Sequence, residues 1–233
     1  MADEKPKPTG RDDAGRDVRG ASAGDGGVPG GDAAAERLSP GAALNAVLGD
    51  LDAIDGALYA AVAATPTPTL DRALRRLSHT ADHSKISLTV AAAMALMPGR
   101  PRQAAVAGVG AIMIASAAAN LLGKRMVRRR RPDREAARVV VDRHVPMPKS
   151  ASFPSGHTAS ATAFATAVGV VLPPAAVPLG ILASAVGYSR VHTGVHYPGD
   201  VAAGAVLGLS SAVAALALTY RPRHHPPAVS ADR

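Results

Sequence analysis

The chain of 233 residues has no cysteine and no tryptophan, and aromatic residues make up 3% of it. Without cysteine, disulfides, thiolate nucleophiles and Cys-ligated zinc or iron–sulfur sites are excluded. So few rings leave little on which to stack bases, so no nucleic-acid partner is expected despite the basic charge. Alternating apolar and polar residues of the kind that mark strands are missing, and so are internal repeats. No apolar stretch follows the start in the position of a secretory signal. Long uncharged runs are scarce as well. Only residues 104–122 and 201–219, 19 residues each, approach the roughly 20 that a bilayer-crossing helix needs.

Acids are also sparse over most of the chain. The net charge is +8, and residues 1–40 hold eight acids against six bases, which leaves +10 on residues 41–233. A body this basic points to an anionic partner such as an acidic lipid headgroup or a phosphorylated substrate. Residues 1–40 are rich in Gly and charge with almost nothing to bury, so they are expected to be a disordered tail. Residues 221–233 form a basic Pro/His tail, and residues 41–220 hold the folded domain.

Within that domain Leu44, Leu48, Leu51, Leu58 and Val62 recur at helical spacing, interrupted by Asp50, Asp52 and Asp55. Thr65-Pro66-Thr67-Pro68 ends this helix. Thr69 or Asp71 is the expected cap of the next, whose Leu70, Leu74 and Leu77 share a face. Both helices are too polar to span a bilayer and read equally as amphipathic elements at its interface or as surface helices of a soluble bundle, until the following segments are weighed. Five uncharged stretches follow, at residues 86–97, 104–122, 158–172, 175–188 and 201–219, separated by Pro/Gly or basic loops. They are Ala-rich, which understates their membrane character. The fold class expected is all-α: a polytopic membrane helical bundle of about five spanning helices, with the lipid bilayer as a partner and a multi-pass cell-membrane location.

Three clusters lie at the ends of those stretches. The first is Lys124, six residues, then Arg131-Pro132, inside a basic run from Arg128 to Arg131. Such a run ordinarily anchors a chain beside anionic lipid, and Arg129 and Arg130 are read that way. The second is Pro154-Ser155-Gly156-His157, just before an apolar helix, where outward-facing backbone N–H groups at the positive helix end can bind a phosphate oxygen. A capped helix with an incidental histidine is the plain alternative. The third is Ser189-Arg190, five residues, His196, three residues, Asp200. A carboxylate at Asp200 can accept the His196 Nδ1–H and leave Nε2 to attack. His192 and His196 also have the spacing of a helical metal pair, but Gly194, Pro198 and Gly199 oppose a regular helix there, so no metal site is expected. Together the clusters supply three cations for a phosphate dianion, two histidines to share nucleophile and acid roles, and a carboxylate to orient one of them. His79, His83 and His144 match none of these positions and are read as interface or loop residues.

The order and spacing of the three clusters are similar to the type 2 phosphatidic acid phosphatase superfamily, over residues 40–220. The resemblance implies a metal-independent lipid phosphatase without cofactors. In it His196 attacks phosphorus to give a phosphohistidine, Asp200 holds its tautomer, and His157 protonates the leaving oxygen and then activates water. Lys124, Arg131, Ser155, Gly156 and Arg190 would bind the phosphate oxygens. It further implies a lipid-phosphate substrate: a polyprenyl-linked phosphate such as undecaprenyl diphosphate or decaprenyl-phosphoribose phosphate, or alternatively phosphatidate or phosphatidylglycerophosphate. Rival readings are a non-catalytic anionic-lipid-binding protein and a vanadate-dependent peroxidase. Residues 123–153 hold ten Lys/Arg against four at Arg100, Arg102, Arg221 and Arg223. That bias favours a cytoplasmic site, but catalysis accounts for several of the ten, so the side stays open. Oligomeric state has no signature in the sequence.

Overall fold

Prolines and glycines set the element boundaries. The computed structural model describes residues 40–220. The tails expected at 1–40 and 221–233 lie outside that range apart from Pro40, and the side chains of Leu122 and Lys124 are not described either. Among the described residues every regular element is a helix. Helix α1 (Pro40–Ala64) ends before Pro66, and α2 (Pro68–Thr80) opens on Pro68. Then come α3 (Lys85–Ala95), α4 (Arg100–Ala117), a π-turn (Ala118–Gly123) and the single-turn α5 (Lys124–Met126). A long loop with one 3₁₀ turn (Val141–Arg143) leads to α6 (Gly156–Val171), α7 (Ala176–His192) and α8 (Pro198–Thr219).

Helices α4, α6 and α8 form the centre, with α3 against α4 and α7 against α6. Small side chains make this contact close. Ala104, Ala107, Ala111 and Ala115 on α4 and Ala159, Ala163 and Ala167 on α6 are fully buried. A Cβ on Gly208 would fall 2.5 Å from the Ala159 carbonyl oxygen, and one on Gly108 would fall 2.6 Å from the Phe164 ring. Neither distance admits a side chain, so these glycines set the α8–α6 and α4–α6 separations. Close backbone approach through Ala and Gly is how helices associate where apolar surroundings remove the hydrophobic drive.

The exterior supports the same view. Met113, Val170, Val177, Ile181, Val206, Val213 and Leu218 are each more than 60% exposed, an apolar belt far beyond what a water-facing bundle shows. Residues Arg100–Leu121 and Pro198–Thr219 are long and apolar enough to cross a bilayer. Only 28% of the latter window is buried, whereas the core helix of a soluble protein is mostly buried.

Helices α1 and α2 are turned inside out. Leu48, Leu51, Ile54 and Leu58 face outward, while Asp55 and Tyr59 are buried. In α2, Asp71 and Ser78 are buried and Leu70 is exposed. Thr67 is the N-cap residue, and its hydroxyl donates to Asp71 at 2.8 Å instead of capping a backbone amide. The cap expected at Thr69 or Asp71 is therefore displaced, because Asp71 turns inward to Arg143. Arg143, 1% exposed, donates to Asp71 Oδ1 (2.9 Å), to the Thr65 carbonyl (2.6 Å) and to Thr67 Oγ1 (3.1 Å). This ties the long loop to α2 and to the end of α1.

Candidate active site

Asp200 sits in the first turn of α8, fully buried. Tyr197-Pro198-Gly199 turns the chain there, and Pro198 occupies a position where no backbone donor is needed. Its Oδ2 accepts the Tyr197 N–H at 2.9 Å and the Ser152 hydroxyl at 2.5 Å, and its Oδ1 accepts Arg129 Nη1 at 3.1 Å. His196 Nδ1 lies 3.6 Å from Oδ2 and 3.4 Å from Ser152 Oγ. The structure thus brings His196 and Asp200 together, with Ser152 between them as a nearer partner of the carboxylate.

His196 is aimed by a tight turn. Gly194 has φ +67°, and a Cβ there would lie 2.9 Å from both Arg134 Cγ and Tyr59 Oη. The turn lets the Val195 and His196 N–H groups both donate to the Arg190 carbonyl, at 3.1 and 3.2 Å. His196 Nε2 then faces Arg131 Nη1 at 3.4 Å. A guanidinium only donates, so Nε2 carries the lone pair and Nδ1 the proton.

Ser155 is the N-cap of α6, accepting the Thr158 hydroxyl at 3.0 Å and the Thr158 N–H at 3.5 Å. Its own N–H donates to the Asp200 carbonyl at 2.9 Å, which fixes the start of α6 against the start of α8. Gly204 permits this, since a Cβ there would lie 2.5 Å from the Ser155 carbonyl oxygen. Two clusters 45 residues apart are thereby joined through backbone.

A cavity of about 440 Å³ opens beside these elements, lined by Gly156, His157, Arg190, Asp82, Ser116 and Asn120, with Val145–Pro148 as one wall. Ser155 and His196 do not line this cavity, and both are buried. Arg190 is 2% exposed; its Nη1 donates to Ser78 Oγ at 2.7 Å and to the Ser78 carbonyl at 3.0 Å, while its Nε has no partner. Arg131 donates to the carbonyls of Val195 (2.7 Å), Ser150 (3.0 Å) and Ala151 (3.3 Å). Lys124 opens α5, and its side chain lies outside the described set.

Both histidines are held neutral near pH 7. Burial pushes His196 down to about 4; Arg131 and Arg190 act in the same direction and Asp200 opposes them. Burial, then Arg190, pushes His157 down to about 4 against the pull of Asp82. A bound phosphate dianion reverses the local sign of charge and favours the protonated form of a histidine beside it.

Several residues of the site are absent from the three clusters. Arg129 is not a lipid anchor: its guanidinium bonds Asp55 (2.5 Å), Asp52 (2.6 Å) and Asp200, and lies 4.1 Å from the Tyr197 ring centroid. Ser152 bridges Asp200 and His196, and Asp82 Oδ1 lies 2.8 Å from His157 Nε2. The available signal was the scarcity of acids, ten beyond residue 40, since acids that rare in a basic body have cations to meet. His83 lines the cavity, unlike the other unassigned histidines. His192 diverges from His196: its Nε2 meets Thr67 Oγ1 at 3.0 Å and Asp71 Oδ1 at 3.1 Å.

The pattern of the PAP2 superfamily matches residues 105–223. Among curated proteins, the decaprenylphosphoryl-5-phosphoribose phosphatase of Mycobacterium tuberculosis is 45% identical over 140 residues, 58% of this chain and 72% of that one. The protein of the same name from Mycolicibacterium smegmatis is 38% identical over 158 residues, 66% of this chain and 80% of that one. Among solved structures, a transmembrane PAP2-type phosphatidylglycerolphosphate phosphatase from Bacillus subtilis superposes with a TM-score of 0.60 at 22% identity, over 76% of this chain and 90% of that one. That likeness speaks for the fold.

Proposed function

The chain belongs to the PAP2 superfamily, and on that premise we propose that it is a membrane phosphatase acting on a polyprenyl-linked phosphate, of the decaprenyl-phosphoribose phosphate type. The observation that carries the reading is the convergence of Gly156, His157 and Arg190 on one cavity, together with the His196 lone pair beside Arg131. The polyprenyl substrate rests on the names of the curated relatives, together with the apolar belt and the basic loop. The uncharged runs 86–97, 104–122, 158–172, 175–188 and 201–219 are taken as the spans of a multi-pass protein. His157 precedes the apolar run 158–172, and Arg190 follows the run 175–188, so both lie at headgroup depth.

In this reading two histidines share the two steps. His196 Nε2 attacks phosphorus, the N–P bond forms and the P–O bond to the lipid breaks, while His157 gives its proton to the leaving oxygen. Water then attacks phosphorus, His157 takes up the water proton, and the N–P bond breaks to release inorganic phosphate. Arg131, Arg190 and Lys124, with the N–H groups around Ser155 and Gly156, hold the equatorial oxygens on which charge is spread. Three cations, Lys124, Arg131 and Arg190, would meet that charge without a Lewis acid.

The test is phosphate release by purified protein from decaprenyl-phosphoribose phosphate, undecaprenyl diphosphate, phosphatidate and phosphatidylglycerophosphate, each with and without excess chelator. The fastest turnover is expected on the first, undiminished by chelator. Equal rates on all four would overturn a dedicated polyprenyl-phosphoribose substrate, and no phosphate release from any would return the chain to a lipid-binding role.

A further inference from the structure

We propose that Asp82, in the link between α2 and α3, is a positioning residue for the leaving-group step: it holds His157 by Nε2 and so aims Nδ1 at the substrate oxygen. The inference rests on the phosphatase reading above and adds a residue outside the three clusters.

The geometry is direct. His157 Nε2 lies 2.8 Å from Asp82 Oδ1, and a carboxylate can only accept, so Nε2 carries the proton there. The ring nitrogen left for chemistry is Nδ1, on a side chain that lines the cavity. The same Asp82 oxygen is 3.7 Å from Arg190 Nη1, so the carboxylate lies between the histidine and the guanidinium that opposes its protonation. The site then holds two His–Asp pairs of opposite polarity. Asp200 and Ser152 face His196 Nδ1 and leave Nε2 open, whereas Asp82 faces His157 Nε2 and leaves Nδ1 open.

The backbone around Asp82 gives independent support. His83 and Ser84, the next two residues, both have φ +57°, the left-handed region that non-glycine residues adopt only at an energetic cost. Both line the cavity, and Arg190 clamps the end of α2 through Ser78. A link held in a costly conformation along the cavity fits a role in aiming a side chain. The proton inventory is unchanged by Asp82: His157 Nδ1–H passes to the leaving oxygen as the P–O bond breaks, and Nδ1 regains a proton from the attacking water. Asp82 neither gains nor loses a proton, but favours the protonated ring that exists before the first event and after the second.

The charged and titratable groups around His157 are Asp82 from the α2–α3 link, Arg190 from α7 and His196 from the α7–α8 turn, with His83 on the same cavity wall. The experiment compares kcat/KM of wild type and Asp82→Asn on two substrates across pH. One is a lipid phosphate, whose alkoxide needs a proton to leave, and the other is p-nitrophenyl phosphate, whose phenolate leaves without one. For Asp82→Asn the lipid phosphate should lose roughly tenfold or more, the low side of an acid–base contribution, and p-nitrophenyl phosphate less than about threefold. The alkaline limb for the lipid phosphate should also move to lower pH, because the group that favours the protonated ring is gone. Asp82→Ser, assayed alongside, should give the same split, and thermal unfolding checks that both variants fold. An equal loss on both substrates, or no loss on either, overturns the role of Asp82 alone. Failure of wild type to hydrolyse either substrate overturns the phosphatase reading and this inference with it.

Discussion

His157 and His196 carry opposite tautomers, each imposed by what its neighbour can accept or donate. Both sit well below the ordinary histidine value of 6.5, near 4, chiefly because they are buried. The consequence for stability has a definite sign. Above pH 6.5 neither the folded nor the unfolded chain protonates these rings, and the two contribute no pH dependence. Between 6.5 and about 4 the unfolded chain takes up protons that the folded one does not, so stability falls as pH falls, by at most about 1.4 kcal/mol per pH unit per histidine. Unfolding temperatures in detergent from pH 7 to 4.5 should show this slope, and the double variant His157→Asn/His196→Asn should be flatter. At this scale the sequence was legible where a residue type meets a chain signal: His157 and Asp200 stand at helix starts, and Arg190 and His196 flank a Gly turn. Ser152, Arg129 and Asp82 were not legible, because their partners lie 48, 71 and 75 residues away and no spacing rule reaches that far.

Periodicity located the helices but could not say which face turns inward. The leucines of α1 recur at helical spacing whether they face a core or a bilayer, and the aspartates that interrupt them looked like a solvated side. In the structure Asp55 is the buried side, held by Arg129 and accepting the Gly199 N–H at 2.6 Å. The same inversion in α2 places Asp71 against Arg143 and His192, so one buried cluster fastens the long loop, α2 and α7. Removing one partner of a buried ion pair leaves the other charge uncompensated. Arg143→Ala should therefore destabilise the protein by about 3–5 kcal/mol. A substantial drop in unfolding temperature is expected, with weaker protection of the α1–α2 region from proteolysis, and an unchanged melt would show that the cluster carries no weight.

Across the whole molecule, Ala- and Gly-lined contacts draw α4, α6 and α8 together, apolar side chains cover the exterior, and charge gathers where α6 and α8 begin. The Ser155 N–H to Asp200 carbonyl bond joins the second cluster to the third, and Arg131, donating to the Val195 carbonyl, brings in the first. The all-helical class and the grouping of the clusters were readable because both follow from local signals at apolar-segment ends. The burial of His196, off the cavity wall, follows only from packing. The central claim is that this assembled site transfers a phosphoryl group through His196. It is tested most directly by phosphate release from a polyprenyl-linked phosphate by His196→Ala protein that melts like wild type. The account predicts a loss of at least about 10²-fold in rate, and wild-type-like turnover by that folded variant would contradict it.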